Sequence, residues 1–239
     1  GLFLYDHLAR RDFLPGSEAI SLQGHPAGAP LQPGYTRAFA YSDAWVDDAR
    51  LVVLAAIDAR ERGAAVLTRT RCAGLVREAQ RWSATLQGPD GEVRVHARCL
   101  VNAAGPWAGA VVGLATGAAA GVARPASRLR LVKGSHIVLP RLFGHDCAYL
   151  LQQPDGRIVF AIPYEGRFTL VGTTDVDYQG DLDRVAIDAA EVDYLCAAVN
   201  RAFAHPVRPA DVVWSYAGVR PLIGEAAGRA ADASRDYRL

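Results

Sequence analysis

The run VVWSYAGVRPL, Val212 to Leu222, holds the residue types best suited to handle a small anion. Val212, Val213, Trp214 and Tyr216 are β-branched or aromatic and predict a strand. Gly218 has no Cβ, so a flat ligand can come close to the backbone there. Arg220 is a permanent cation with forked donors, and Pro221 stiffens the chain behind it. A rigid strand end with one cation beside a glycine suits an anionic substrate placed against a cofactor.

Other chemistries are excluded by spacing. No two of the 23 glycines are separated by a single residue, so a GxGxxG phosphate loop cannot occur, and GxxxxGK[ST] is absent. Cys72, Cys99, Cys147 and Cys196 show no CxxC spacing, and the six histidines form no HExxH pair, so no metal site is expected. Scattered cysteines in a chain of this length read as reduced thiols on a cytosolic face. A formal net charge of +1 gives no electrostatic case for nucleic acid. Residues 103–123 carry no charge, but Ala and Gly dominate there, which argues against insertion in a bilayer. The chain has no methionine and begins inside an apparent helix, LFLYDHLARR; it reads as a piece of a longer protein.

Two kinds of element must position these residues. VDDARLVVLAAIDARERG predicts a helix with an Asp47 or Asp48 N-cap and a C-terminal glycine, Gly63. Its tight passage into Ala64 to Thr68, read as a short strand, is the texture of a doubly wound α/β sheet. CAGLVREA, RWSATLQ and EVRVHARCL alternate as a meander, and Leu100 to Asn102 read as a buried strand ending at AAGPW. Beyond the Ala/Gly stretch, Leu129 to Pro140, Ala148 to Gln152, Arg157 to Ile162 and Phe168 to Val171 read as an antiparallel sheet. Ile187 to Ala204 reads as an amphipathic helix, with Val192, Leu195, Val199 and Phe203 on one side. Phe13 to Pro33 reads as irregular, and Tyr35 to Tyr41 as a strand.

YSDAWVDDARLVVL, VLTRTRC, LVNAAGPW, KGSHIVLP, VGTTDVDYQGD and WSYAGVRPL occur in this order along the chain. Together they resemble the FAD-dependent, quinone-linked (aerobic) glycerol-3-phosphate dehydrogenases, over about Leu2 to Leu239. The resemblance implies an α/β (α+β) fold, a partial FAD-binding doubly wound domain plus an antiparallel substrate domain. Its divisions are a connecting helix and cap segment at 1–42, FAD-domain sequence at 43–123, the substrate-binding sheet at 124–214 and a return to the FAD domain at 215–239. The family's N-terminal glycine loop and its C-terminal part are missing from the sequence.

The resemblance implies oxidation of sn-glycerol 3-phosphate to dihydroxyacetone phosphate, with hydride passing to FAD and electrons to membrane quinone. It places the protein peripherally on the inner face of the cytoplasmic membrane and leaves a homodimer open. Arg220 and Arg235 match positions that hold the substrate, and Thr173 offers it a hydroxyl. His136 is a candidate base or polariser of the substrate oxygen; a satisfied core histidine is the alternative. Lys133, the lone lysine, reads as lying near the flavin or facing solvent. Arg71, Cys72, Ala103, Ala104, Gly105, Trp107 and Gly218 match flavin contacts. An amino-acid oxidase of the same superfamily is the second reading. The third is a cofactor-free fragment, expected to be inactive and colourless because the glycine loop is missing.

Overall fold

A computed structural model describes residues 13–117 and 129–223. The chain divides into two compact units, one of Gly1–Asp43 with Arg130–Leu239 and one of Ala44–Leu129.

The first unit is built on a six-stranded antiparallel sheet. Its strands are β6 (Leu129–Pro140), β7 (Tyr149–Gln152), β8 (Ile158–Tyr164), β9 (Phe168–Gly172), β10 (Val176–Asp177) and β11 (Trp214–Ile223). β7, β8 and β9 form consecutive hairpins, and β9 pairs with β6 from His136↔Gly172 to Pro140↔Phe168. Asp155-Gly156 and Glu165-Gly166 make the turns, with Gly156 and Gly166 at positive φ as predicted from the sequence. A small hairpin, β1 (Glu18–Ser21) with β2 (Arg37–Ala40), precedes the sheet. β1 lies in the stretch expected to be irregular: a four-residue strand among glycines and prolines leaves too short an alternation to read.

One face of the sheet is covered by the helix Ala189–Ala202. The predicted apolar side is buried: Leu195 and Val199 are fully enclosed with Ile137 and Leu139 of β6 and Val159 of β8. Asp188 caps this helix by accepting the Glu191 N–H, and Glu191 returns the bond to the Asp188 N–H. Alternation along β6 therefore puts Lys133, Ser135, Ile137 and Leu139 on the helix side, and Gly134 and His136 on the other.

β11 lies in this unit, paired with β6. Val213 N–H donates to Val138 O at 2.9 Å, and Tyr216 stacks on His136. As β11 advances, its partners on β6 step backward, the antiparallel sense.

The second unit holds helix α1 (Asp48–Glu61), the meander β3 (Arg71–Glu78), β4 (Arg81–Gly88), β5 (Gly91–Ala97), and helix α2 (Ala108–Thr116). The helix at Ala189–Ala202 is α3. Asp47 caps α1 as predicted, accepting the Arg50 N–H at 3.0 Å. No residue of α1 is buried, although its apolar spacing predicts a core face. Ala64 to Thr68 is not a strand. Its apolar run is too short to override the turn at Thr68-Arg69, where Arg69 has φ +52°. Leu100 to Asn102 is not a buried strand either: β5 ends at Ala97, and Val101 is 85% exposed. Among the described residues of the Ala/Gly stretch, α2 runs for nine residues and Gly117 caps it at φ +65°. Among the described residues no helix is long and apolar enough to cross a membrane.

Three surface carboxyls respond to acid in one direction. The Arg157 guanidinium holds the Asp155 carboxyl below the usual range, and the Arg130 guanidinium does the same for Asp177. The Glu191 N–H, with help from Lys133, lowers Asp188. A carboxyl with a depressed folded value contributes stability that is present above its unfolded value, about 3.9, and is lost as pH falls through the folded value. Their share of the stability is expected to be constant near neutrality and to fall below about pH 4. Urea denaturation between pH 7 and pH 3 checks this, and Asp188→Asn should flatten the acid limb by up to about one proton.

Candidate functional site

The break between β9 and β10 organises the site. β9 leaves β6 at Gly172↔His136, and β10 rejoins it at Val176↔Lys133. Thr173, Thr174 and Asp175 thus oppose only Gly134 and Ser135, a bulge of one extra residue. The contacts across it are continuous: Thr174 N–H reaches Ser135 O at 3.4 Å, and Tyr178 N–H donates to Leu131 O at 2.8 Å. Arg130 closes the far side with a forked bond to Asp177, 2.6 and 2.9 Å.

Gly134 makes room for what the bulge presents. A Cβ on Gly134 would sit 2.6 Å from Thr173 Oγ1 and 3.1 Å from Arg220 Nη2. Thr173 from one edge and Arg220 from the other therefore meet over a bare backbone. Asp175 faces Arg220 across the same spot, Oδ1 to Nη2 at 3.5 Å, both half-exposed. One step along β6, a Cβ at Gly172 would collide with the His136 ring. That ring also stacks on Tyr216 at 4.9 Å and 7°, which fixes its plane.

On β11, alternation sends Trp214, Tyr216, Gly218 and Arg220 to one face. Trp214 is 58% exposed and lies 5.5 Å from Tyr216, ring to ring. Among the described residues nothing lies within 4 Å of where a Gly218 Cβ would be. The chain's own packing does not demand glycine there; the space stays open between an aromatic ring and a cation. Among the described residues the sheet face thus carries one guanidinium beside the Asp175 carboxylate, the Thr173 hydroxyl, which donates to Thr174 O at 3.1 Å, the His136 imidazole and open space at Gly218.

Lys133 is neither on this face nor facing solvent. It points to the helix side, buried, with Nζ 2.8 Å from Glu191 and 3.2 Å from Asp188. Burial works against its ammonium, but the bonds to Glu191 and Asp188 outweigh it and raise it above an ordinary lysine. The reason is parity: an odd-numbered neighbour of Gly134 must face the other way. Sequence reasoning passed over Asp175 and Glu191. Asp175 sits in the GTTD stretch, and Glu191 completes a D-x-x-E capping box, so both left a local signal. Arg235 lies outside the described residues.

In the second unit, Arg71 and half-buried Cys72 open β3 opposite Gln87 and Leu86, with an irregularity after Cys72. Asn102 Oδ1 accepts the Ala104 N–H at 3.3 Å, and its amide donates to Ala108 O at 2.9 Å. The Ala104 N–H is thereby used within the chain. Gly105 turns with φ +53°, a conformation that favours glycine. Trp107 is 46% exposed and precedes α2, whose N-terminus has no side-chain cap and no acidic residue in its first turn. Small side chains at Ala103 to Gly105 and the N–H groups of α2 fit a flat, anionic dinucleotide.

The model of the FAD dependent oxidoreductase family matches residues 4–235. The chain belongs to that family. D-Erythritol 1-phosphate dehydrogenase of Brucella abortus (strain 2308) is 47% identical over 240 residues, covering 99% of this chain and 47% of that protein. A glycerol-3-phosphate dehydrogenase of Pseudomonas aeruginosa is 47% identical over 242 residues, 100% of this chain and 45% of that one. Among solved structures, glycerol-3-phosphate dehydrogenase from Bacillus halodurans complexed with FAD aligns with a TM-score of 0.72 and 27% identity, covering 86% of this chain and 42% of that chain. The chain spans about half the length of the curated relatives it matches. The family and its mixed helix and antiparallel-sheet architecture agree with the sequence expectation.

Proposed function

We propose that this chain supplies the substrate-holding sheet of a flavoprotein that oxidises sn-glycerol 3-phosphate to dihydroxyacetone phosphate. The observation that carries the reading is that Arg220 and Thr173 converge over Gly134, with Asp175 3.5 Å from the Arg220 guanidinium. Arg220 and Thr173 bind the phosphate; a forked cation and a hydroxyl match its oxygens. His136, its plane fixed by Tyr216, takes the proton of the C2 hydroxyl. FAD, when bound, accepts the C2 hydrogen as hydride, so two electrons and one proton leave the alcohol together. Among the described residues no side chain enters the space at Gly218, which suits the approach of a flat ring. Arg235 is a second phosphate ligand in this reading. Quinone as acceptor and a peripheral place on the cytoplasmic membrane follow from the aerobic enzymes that the sequence resembles.

A second polyol phosphate is favoured by a specific observation: the relative named for D-erythritol 1-phosphate is as similar as the one named for glycerol 3-phosphate. Both substrates place a secondary alcohol in a phosphorylated polyol. Turnover of the intact parent protein separates the readings. Glycerol 3-phosphate is expected to give the higher kcat/KM, with no turnover of glycine or D-amino acids. A preference for erythritol 1-phosphate would move the substrate by one carbon, and amino-acid oxidation with no polyol-phosphate activity would overturn the proposal. The isolated chain is expected to be colourless; flavin absorbance at a 1:1 ratio would contradict that part.

A further inference from the structure

Beneath the bulge lies a buried carboxylate whose bonds all run toward the site strands or their cap. Glu191 is 4% exposed. It accepts Ser135 Oγ–H at 2.9 Å, Thr174 Oγ1–H at 2.7 Å and the Asp188 N–H at 3.1 Å, and pairs with Lys133 at 2.8 Å. Thr174 Oγ1 in turn accepts the Ser135 N–H at 2.9 Å. Ser135, Thr174 and Glu191 form a closed ring of bonds, with Ser135 and Thr174 fully buried. A helix cap of the D-x-x-E kind needs only the Asp188 bonds. The reach to Thr174 is additional, and it grips the central residue of the bulge.

We propose that Glu191 is a positioning residue that sets the register of the Thr173–Asp175 bulge and thereby holds Asp175 against Arg220. A bulge of one extra residue can be seated in more than one way, and a slip of one exchanges the faces of its side chains. With Thr174 drawn down to Glu191, Thr173 and Asp175 face Gly134 and Arg220. Any other seating leaves the buried Glu191 carboxylate short of a donor, which is costly in a dry interior. Asp175 then aims the Arg220 guanidinium from the side, so that its remaining donors face the open space. The inference rests on the reading of this face as the phosphate site.

The test uses the intact, flavin-loaded parent protein with Thr174→Val, Thr174→Ser and Glu191→Gln. Misplacing a substrate-binding group by about 1 Å costs up to roughly a hundredfold. Thr174→Val and Glu191→Gln are expected to raise KM for glycerol 3-phosphate by about ten- to a hundredfold, with a smaller fall in kcat and an unchanged flavin spectrum. Thr174→Ser, which keeps the hydroxyl, should restore KM to within about threefold. In an Asp175→Ala background, Thr174→Val should raise KM no further, because the two act through one contact. A lower melting temperature with unchanged KM in both variants would make the network merely structural and overturn the proposal. Should Thr174→Val fail to fold, Glu191→Gln and Thr174→Ser decide it. If the parent does not turn over glycerol 3-phosphate, the crystal structure of the Glu191→Gln protein still decides: a bulge reseated with Asp175 away from Arg220 supports the inference, and an unchanged bulge refutes it.

Discussion

Arg220→Ala lowers kcat/KM for glycerol 3-phosphate in the intact parent protein by about 10²- to 10³-fold, and Arg220→Lys recovers little of that loss. Truncating one partner of a hydrogen-bonded charge pair costs about 2–5 kcal/mol, and 1.4 kcal/mol is about tenfold. The loss has two parts. A phosphate loses its forked donor, and Asp175, 3.5 Å from Nη2, loses the cation that balances it beside an incoming anion. Lysine keeps the charge but not the planar fork, so it cannot face Asp175 and a phosphate in one geometry. Glycerol is the control, since it has the same alcohol and no phosphate. Its slow turnover should be the same in both proteins. An equal loss on glycerol would mean that Arg220 serves the fold or the flavin instead.

Gly134→Ala is expected to cost about 10²-fold in kcat/KM through a single methyl group. The added Cβ would lie 2.6 Å from Thr173 Oγ1, and no real Cβ contact is that short. The next residue, Thr174, is held to Glu191 at 2.7 Å, which limits how far the Thr173 backbone can retreat. Arg220 Nη2, at 3.1 Å from the same point, must move as well. Displacement of about 1 Å in a binding constellation accounts for the loss, alongside about 1–3 kcal/mol of overpacking. Gly218→Ala is the contrasting variant. No described residue stands within 4 Å of its Cβ, so its stability should stay within about 0.5 kcal/mol, and any effect should fall on ligand binding. Melting curves and steady-state kinetics on both variants check the pair. Wild-type activity in Gly134→Ala would show that the close approach of Thr173 and Arg220 is dispensable.

What was legible in the sequence was local. VVWSYAGVRPL spells a strand with an arginine near its end, and β11 is that strand. Asp155-Gly156 and Glu165-Gly166 spell turns, and the α3 helix announces its buried side through Leu195 and Val199. These features depend on residues a few positions apart. The bulge depends on counting Thr173 to Asp175 against Gly134 and Ser135, about forty residues earlier, and no local pattern records that register. Lys133 shows the same limit: its side of β6 is decided by what packs on the strand, and alternation alone does not say which side is the core. The short run Ala64 to Thr68 had strand-like composition but no partner, and Leu100 to Asn102 continued a strand in sequence after β5 had ended. Asp188-x-x-Glu191 was readable as a helix start; that its glutamate also grips Thr174 was not.

In the proposed function, the sheet face over Gly134 receives the phosphate of the substrate through Arg220. A crystal structure of the flavin-loaded parent protein with glycerol 3-phosphate tests it most directly. The phosphate is expected on Arg220 and Thr173, with the C2 hydroxyl within hydrogen-bond reach of His136. A phosphate bound elsewhere, with Arg220 still facing Asp175 alone, would contradict it.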